Sequence, residues 1–217
     1  MARNEWPEGT VLPGEVELAE QLGVARTSVR EALARLKAKG MVLSRQKAGT
    51  RVTPRVQWNM LDEDVLRWTW QCGERAAFAH HLLQLRRIIE PAACALAAQG
   101  ALDASIAVIE RAYRQMDAAG MDPVAYAGPD LEFHRAILAA TGNPFLVAFG
   151  AGIEAALRMS FELSTRQPGA PRHSLPGHRE VLDAIWARDP QRARQAMETL
   201  LGLTEANIQR GLSPAAP

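Results

Sequence analysis

Asp130 and His134 stand four positions apart in the stretch DLEFHRAILAATGNP, among Leu131, Ala136, Ile137 and Leu138. On a helix that spacing puts a carboxylate and an imidazole on one face, where they can converge. His178, 44 positions later, opens a segment whose Val181, Leu182, Ile185 and Trp186 imply burial, and its imidazole can approach the same point. Two imidazoles and one carboxylate, with water in the remaining positions, are a ligand set for zinc, nickel or manganese. A hydrogen bond between Asp130 and His134 equally satisfies two partly buried polar groups without a metal, and both readings stand. A metal at this cluster can also activate water, which makes a metal-dependent small-molecule enzyme the rival reading. No independently positioned acid or nucleophile supports that rival.

The elements that must position these residues are helical. Apolar periodicity predicts helices near 75–98, 102–119, 122–141, 144–165, 174–188 and 190–210. Pro91 falls inside the first and is expected to kink it; Gly100, Gly120, Gly142-Asn143-Pro144 and Pro168 to Pro171 mark boundaries; Pro176 suits an opening turn. Short connections between such helices predict an all-helical bundle over 65–213. Residues 56–64 read as a linker leading into a short helix that ends near Trp70. Asp62 is expected to cap that helix, with Val65, Leu66, Trp68 and Trp70 anchoring it on the body.

Residues 1–55 have a different character. They hold ten Lys/Arg against six Asp/Glu, an excess of four positive charges, whereas the rest of the chain is negative by three. A basic head on a slightly acidic body implies that the head alone meets a polyanion. From Glu15, the residues Val16, Leu18, Ala19 and Leu22 form an apolar stripe that Gly23 ends. A second helix follows, with Thr27 or Ser28 as the expected cap and Val29, Ala32, Leu33 and Leu36 facing inward before Gly40. Two short helices across a tight turn make a helix-turn-helix, and Arg26, Thr27, Ser28 and Arg30 lie at the end that enters the major groove. Arg30 can reach guanine or phosphate, and the spacing does not choose between them. Residues 41–53 read as two strands around a turn at Lys47-Ala48-Gly49, a basic wing whose Lys47 and Gly49 lie at its tip. A helical protein-interaction module with a solvated basic face is the plainer alternative. The fold class is thus mainly α: an N-terminal winged helix-turn-helix followed by an all-helical bundle.

Cys72 and Cys94 have neither metal-ligand nor disulfide-framework spacing and read as buried thiols in a reducing compartment. No signal peptide is legible in the polar Met1–Thr10, and no apolar run reaches the ~20 residues that span a bilayer. A cytoplasmic protein with no membrane partner is expected.

The motifs Pro13-Gly14-Glu15, Glu17-Leu18-Ala19, Leu22-Gly23-Val24-Ala25-Arg26, Val29-Arg30-Glu31-Ala32-Leu33 and Gly49-Thr50-Arg51-Val52 resemble the winged head of the GntR family of bacterial transcription regulators. The resemblance implies operator contacts from the positions matching Arg26, Thr27, Arg30 and the wing tip around Lys47 to Gly49. Gly14 and Ala25 depart from it, standing where serine is usual. Family members also carry a further helix ahead of the segment that Pro7–Pro13 resembles, and six preceding residues leave almost no room for it. A late start, a truncation or a substitute element is the expectation. The body resembles the FCD effector-binding domain of the FadR subgroup over nearly all of residues 64–212, through Asp130 to His134 with Asn143-Pro144, and through His178 to Ala184-Ile185 with Asp189-Pro190. Metal-binding relatives use positions matching Asp130, His134 and His178 plus a final histidine, which here is Leu200. Leucine donates no electron pair, so weaker metal binding is expected.

Gln57-Trp58-Asn59-Met60-Leu61-Asp62, Asp64-Val65-Leu66 and Arg86-x-x-x-Glu90-Pro91 most resemble members that regulate sugar-acid catabolism of the galactonate kind. That resemblance implies a small carboxylate or sugar acid as effector. Arg86 and Arg158 can clamp its carboxylate while Asp130, His134 and His178 bind hydroxyls or water; each arginine alone also reads as a salt-bridge former. The expected protein is a homodimer that binds double-stranded operator DNA, represses, and is released by its effector. A DNA-independent ligand-binding dimer is the reading that a truncated head would leave.

Overall fold

The computed structural model describes residues 5–45, 48–72, 75–150, 154, 157, 158 and 170–212. The chain divides into two compact units, residues 1–74 and 75–217. That boundary lies ten positions beyond the one expected at 64/65.

In the first unit, α1 (Glu15–Leu22) closes on Gly23 in the left-handed region (φ 65°), as its missing Cβ permits. The second helix, α2 (Arg26–Ala38), starts two or three residues earlier than the capping pattern predicts. Ala25 occupies the N-cap and offers no oxygen, while Thr27 and Ser28 fall inside the first turn; neither caps the helix. Relative to serine at that position, the alanine costs about 1 kcal/mol.

Strands β1 (Val42–Arg45) and β2 (Gly49–Val52) pair antiparallel with Val42 opposite Val52. The segment ahead of α1 lies along β2: Gly9 N donates to Val52 O at 2.9 Å, Leu12 N to Thr50 O at 2.7 Å, and Val52 N to Thr10 O at 2.9 Å. Leu12 then joins Val42 and Val52 in a small core against Trp6, Leu33 and Leu36.

The helix expected to anchor on the body, α3 (Glu63–Gln71), uses two of its anchoring residues on the head instead. Val65 is buried with Met41 and Trp58, and Trp68 packs on the same cluster beside Leu36. Asp62 caps α3 as predicted, accepting from Asp64 N and Val65 N, and it also takes the Lys39 ammonium at 2.6 Å. Lys39 reaches Asp64 at 3.0 Å and lies over the Trp68 ring. Gly40, in the left-handed region (φ 72°), lets the chain pass so close that a Cβ there would meet Gln57 O at 2.2 Å. Apolar burial and charge together therefore fasten α3 to the C-terminal end of α2.

The second unit is helical: α4 (Arg75–Gly100), α5 (Asp103–Ala119), α6 (Pro123–Ala140), α7 (144–150 within the described residues), α8 (Ala170–Trp186) and α9 (Pro190–Leu212). α4 continues through Pro91 as one helix, and α8 begins four residues before the predicted start, so Pro176 lies inside it rather than in its opening turn. The principal packed pairs are α4 with α9, α5 with α6, and α8 with α9. Their shared core runs through Cys94, Ala97, Ile106, Ile109, Met116, Phe133, Ile137, Leu182, Ile185 and Met197. Cys94 is buried, and burial first, then the charge of Glu90, pushes its thiol well up, so it is an inert apolar filler. Among the described residues, no helix is long and apolar enough to cross a membrane.

Candidate functional site

Three helices of the second unit each present a ladder of polar residues spaced by one turn. α6 supplies Tyr126, Asp130 and His134, α8 supplies Ser174 and His178, and α4 supplies Arg86 and Glu90. Such a ladder arises because residues four apart stack on one helical face. Asp130, His134 and His178 are all buried, at 5, 3 and 2 % exposure, and offer ligand atoms within 4.8 Å of one another.

The geometry around His178 fixes its chemistry. Its Nδ1 lies 2.9 Å from the Ser174 carbonyl, which can only accept, so Nδ1 carries the hydrogen. In the neutral ring Nε2 then holds a lone pair, and it lies 2.9 Å from Asp130 Oδ1. By distance the two form an ion pair, yet neither atom makes a directional hydrogen bond. With Nδ1 carrying the hydrogen, two buried electron-rich atoms lie 2.9 Å apart. A shared proton, or a metal ion held by both, would satisfy them. Burial pushes the Asp130 carboxyl up, but His178 and His134 outweigh it and hold it well below the usual carboxylate range.

His134 is set by α4. Its Nδ1 lies 2.9 Å from Glu90 Oε2, and its Nε2 lies 3.4 Å from Asp130 Oδ1 and 3.3 Å from Arg86 Nη2. Burial lowers the imidazole pKa, but Glu90 first and then Asp130 raise it overall. Arg86 donates through Nε to Glu90 Oε1 at 2.6 Å and through Nη2 to Oε2 at 3.3 Å. Glu90 is pushed up by burial and pulled down more strongly by Arg86 and His134, to about 2. At the other end, Tyr126 and Ser174 share a hydroxyl hydrogen bond of 2.9 Å. Phe133 stands edge-on to both histidines and walls the cluster.

The structure thus gathers four of the five residues expected to meet an effector: Arg86, Asp130, His134 and His178. Arg158 stands apart, 61 % exposed and paired with Glu154 on the neighbouring turn at 2.8 Å, because a guanidinium with a nearby carboxylate in water gains nothing by burial. Leu200, where a fourth ligand is expected, is buried with Cδ1 packed against α8, where a Cβ added at Gly177 would lie 3.0 Å away. Glu90, Tyr126 and Ser174 were not singled out as site residues by sequence. Their signal was present as spacings of four, Glu90 after Arg86, Tyr126 before Asp130 and Ser174 before His178.

In the head, Arg26, Thr27, Ser28 and Arg30 are all exposed on the first turns of α2. Gly49 opens β2 with φ 78°. Lys47 lies outside the described residues.

Residues 1–52 match the family described as bacterial regulatory proteins, gntR family, and residues 81–203 match the FCD domain. The chain is 35 % identical to the HTH-type transcriptional regulator YieP of Escherichia coli, over 92 % of this chain and 86 % of that protein. It is 31 % identical to the galactonate operon transcriptional repressor of the same organism, over 96 % and 92 % of the two chains. It is 32 % identical to the transcriptional repressor NanR of Salmonella newport, over 94 % and 79 %. Among solved structures, Streptococcus agalactiae GntR superposes with a TM-score of 0.57 at 26 % identity, covering 94 % of this chain and 92 % of that one. The Listeria monocytogenes protein Lar shares the fold, with a TM-score of 0.67 at 17 % identity over 97 % and 91 %.

Proposed function

The chain belongs to the GntR family of bacterial transcription regulators, with a winged DNA-binding head and an FCD body, and from that premise we propose that it is a cytoplasmic homodimeric repressor that a sugar acid of the galactonate kind releases from its operator. The family makes it a ligand-responsive DNA-binding regulator. The effector and the sign of regulation come from likeness to relatives named as repressors, including the galactonate operon repressor. A dimer supplies two heads for paired half-sites about one helical turn apart, as two-fold symmetric operators require. Arg26, Thr27, Ser28, Arg30 and the wing at Lys47 and Gly49 make the DNA contacts in this reading.

The observation that carries the effector site is the facing of Asp130 Oδ1 and His178 Nε2, buried and without a directional hydrogen bond. Asp130, His134 and His178 are the residues that would hold a divalent zinc, nickel or manganese ion, with water where Leu200 leaves no ligand. Such an ion would supply a point of attachment for oxygen ligands. Its charge also explains the choice of effector. Arg86 balances Glu90, and Asp130 is ionised, so with neutral histidines a divalent cation leaves the cluster one positive charge in excess. A sugar acid brings one carboxylate and several hydroxyls, and would thereby offset that charge and offer oxygen ligands to the ion. Arg86, whose Nη2 lies 3.3 Å from His134 Nε2, is the guanidinium beside the cluster that would receive that carboxylate.

If the effector favours the arrangement that does not fit the operator, linkage requires operator affinity to fall as the effector binds. The test is a titration of operator-bound protein with galactonate, other sugar acids and neutral sugars, with added zinc and with a chelator. Release by acids alone, dependent on His178, supports the proposal. Identical operator affinity at saturating sugar acid and in its absence refutes it, and turnover lost on changing His134 would favour an enzyme.

A further inference from the structure

Glu15 opens α1, and its Oε2 accepts from Arg26 Nε at 3.1 Å and from Arg30 Nη2 at 3.4 Å. The two arginines are one turn apart at the start of α2 and present their guanidinium groups to solvent, 58 and 64 % exposed. The Glu15 carboxyl is held below its ordinary range, chiefly by the hydrogen bond from Arg26. An exposed ion pair does little for folding stability. A negative charge among residues that approach phosphates also weakens attraction to any DNA, whatever its sequence. Its presence there calls for a gain elsewhere.

That gain is in aim. Two like charges four apart on a helix repel, and long side chains left free settle on the nearest phosphate rather than on a base edge. A carboxylate that both arginines share draws them together and fixes part of their rotamer freedom before DNA arrives. We propose that Glu15 is a positioning residue for sequence discrimination, holding Arg26 and Arg30 as a pair directed into the major groove and restraining them from indiscriminate phosphate contact.

The test uses the full chain. A duplex enriched from a randomised library by the parent protein is compared with a scrambled duplex of the same composition, across a salt titration. Glu15→Gln removes one negative charge, so affinity for scrambled DNA rises. The ratio of selected to scrambled affinity falls about tenfold, equivalent to about 1.4 kcal/mol. Glu15→Asp keeps the charge but draws it back by one methylene from both guanidinium groups, and its ratio falls as well. Glu20→Gln, the same charge change on the exposed side of α1, raises general affinity and leaves the ratio intact. An unchanged ratio in Glu15→Gln, full discrimination in Glu15→Asp, or an equal fall in Glu20→Gln overturns the proposal. A parent protein that enriches no duplex would overturn the reading role of the head itself, an outcome separate from any of these.

Discussion

Removing one partner of the Arg86–Glu90 pair should damage the body far more than removing both. The two side chains are 1 and 4 % exposed and joined by two hydrogen bonds. Glu90→Leu leaves a guanidinium buried without its carboxylate, and Arg86→Met strands the carboxylate beside His134. Breaking a buried pair from one side costs about 3–5 kcal/mol, because the surviving charge keeps its desolvation penalty and loses its attraction. For a chain of this length each kcal/mol moves the melting point by roughly 2–4 °C, so each single variant should melt roughly 6–20 °C lower. Arg86→Met/Glu90→Leu removes both charges and leaves side chains of similar volume. It should recover most of the loss, giving a coupling energy of at least about 2 kcal/mol in the double-mutant cycle. Helical circular dichroism during thermal and urea unfolding reads this, since the body contributes most of the helix. A Glu90→Leu protein melting within about 2 °C of the parent, or a double variant no more stable than it, would refute the reasoning.

The same pair predicts an acid limb. Glu90 sits at about 2 in the folded protein against 4.5 for the free group, so its stabilisation is full above 4.5 and is lost as pH falls towards 2. The melting points of the parent and Glu90→Gln should converge through that window; a constant gap would deny that Glu90 titrates late. His134, raised on folding, contributes in the opposite sense: its share is complete below 6.5 and fades as pH climbs through the folded value. Leu200→His restores a nitrogen ligand opposite α8 and should tighten zinc binding on the order of tenfold or more in chelator competition, while lowering stability without metal. Unchanged affinity would place Leu200 too far from the cluster. Lys39→Met breaks the contacts to Asp62 and Asp64, worth about 1 kcal/mol at a site only partly screened. Amide exchange in α3 should quicken by about fivefold and stay unaltered in α1, and uniform exchange would count against the clamp.

Much of the body was legible because helical periodicity and glycine boundaries survive in a chain with few strands. α5, α6 and α9 fall within a few residues of their predicted limits. The spacing of Asp130 and His134 announced a shared face, and burial of His178 followed from Val181, Leu182 and Ile185. Three features escaped local reasoning. The cap of α2 depended on where its first turn starts, and Arg26 rather than the residue after Thr27 or Ser28 begins it. Arg158 looked equivalent to Arg86 as a cation on an apolar helix, but only tertiary packing decides which guanidinium is buried. Glu90 belongs to the site through α4, whose approach to α6 no window of sequence records.

The allegiance of α3 escaped it too, and mattered more than the other three, because Val65 and Trp68 are apolar enough to pack on either unit. What decides is Lys39. Its ammonium bridges Asp62 and Asp64 at the point where Gly40 brings the chain against Gln57, so charge and close backbone approach fasten the same end of α2. α2 has 13 residues, hence a length of about 20 Å, with Arg26 and Arg30 at one end and the Lys39 clamp at the other. A helix is stiff over that distance. A displacement of α3 is therefore carried to Arg26 and Arg30 through α2 itself rather than absorbed between residues 56 and 64. Residues 56–64, which the sequence presents as a linker, are in this respect part of the first unit.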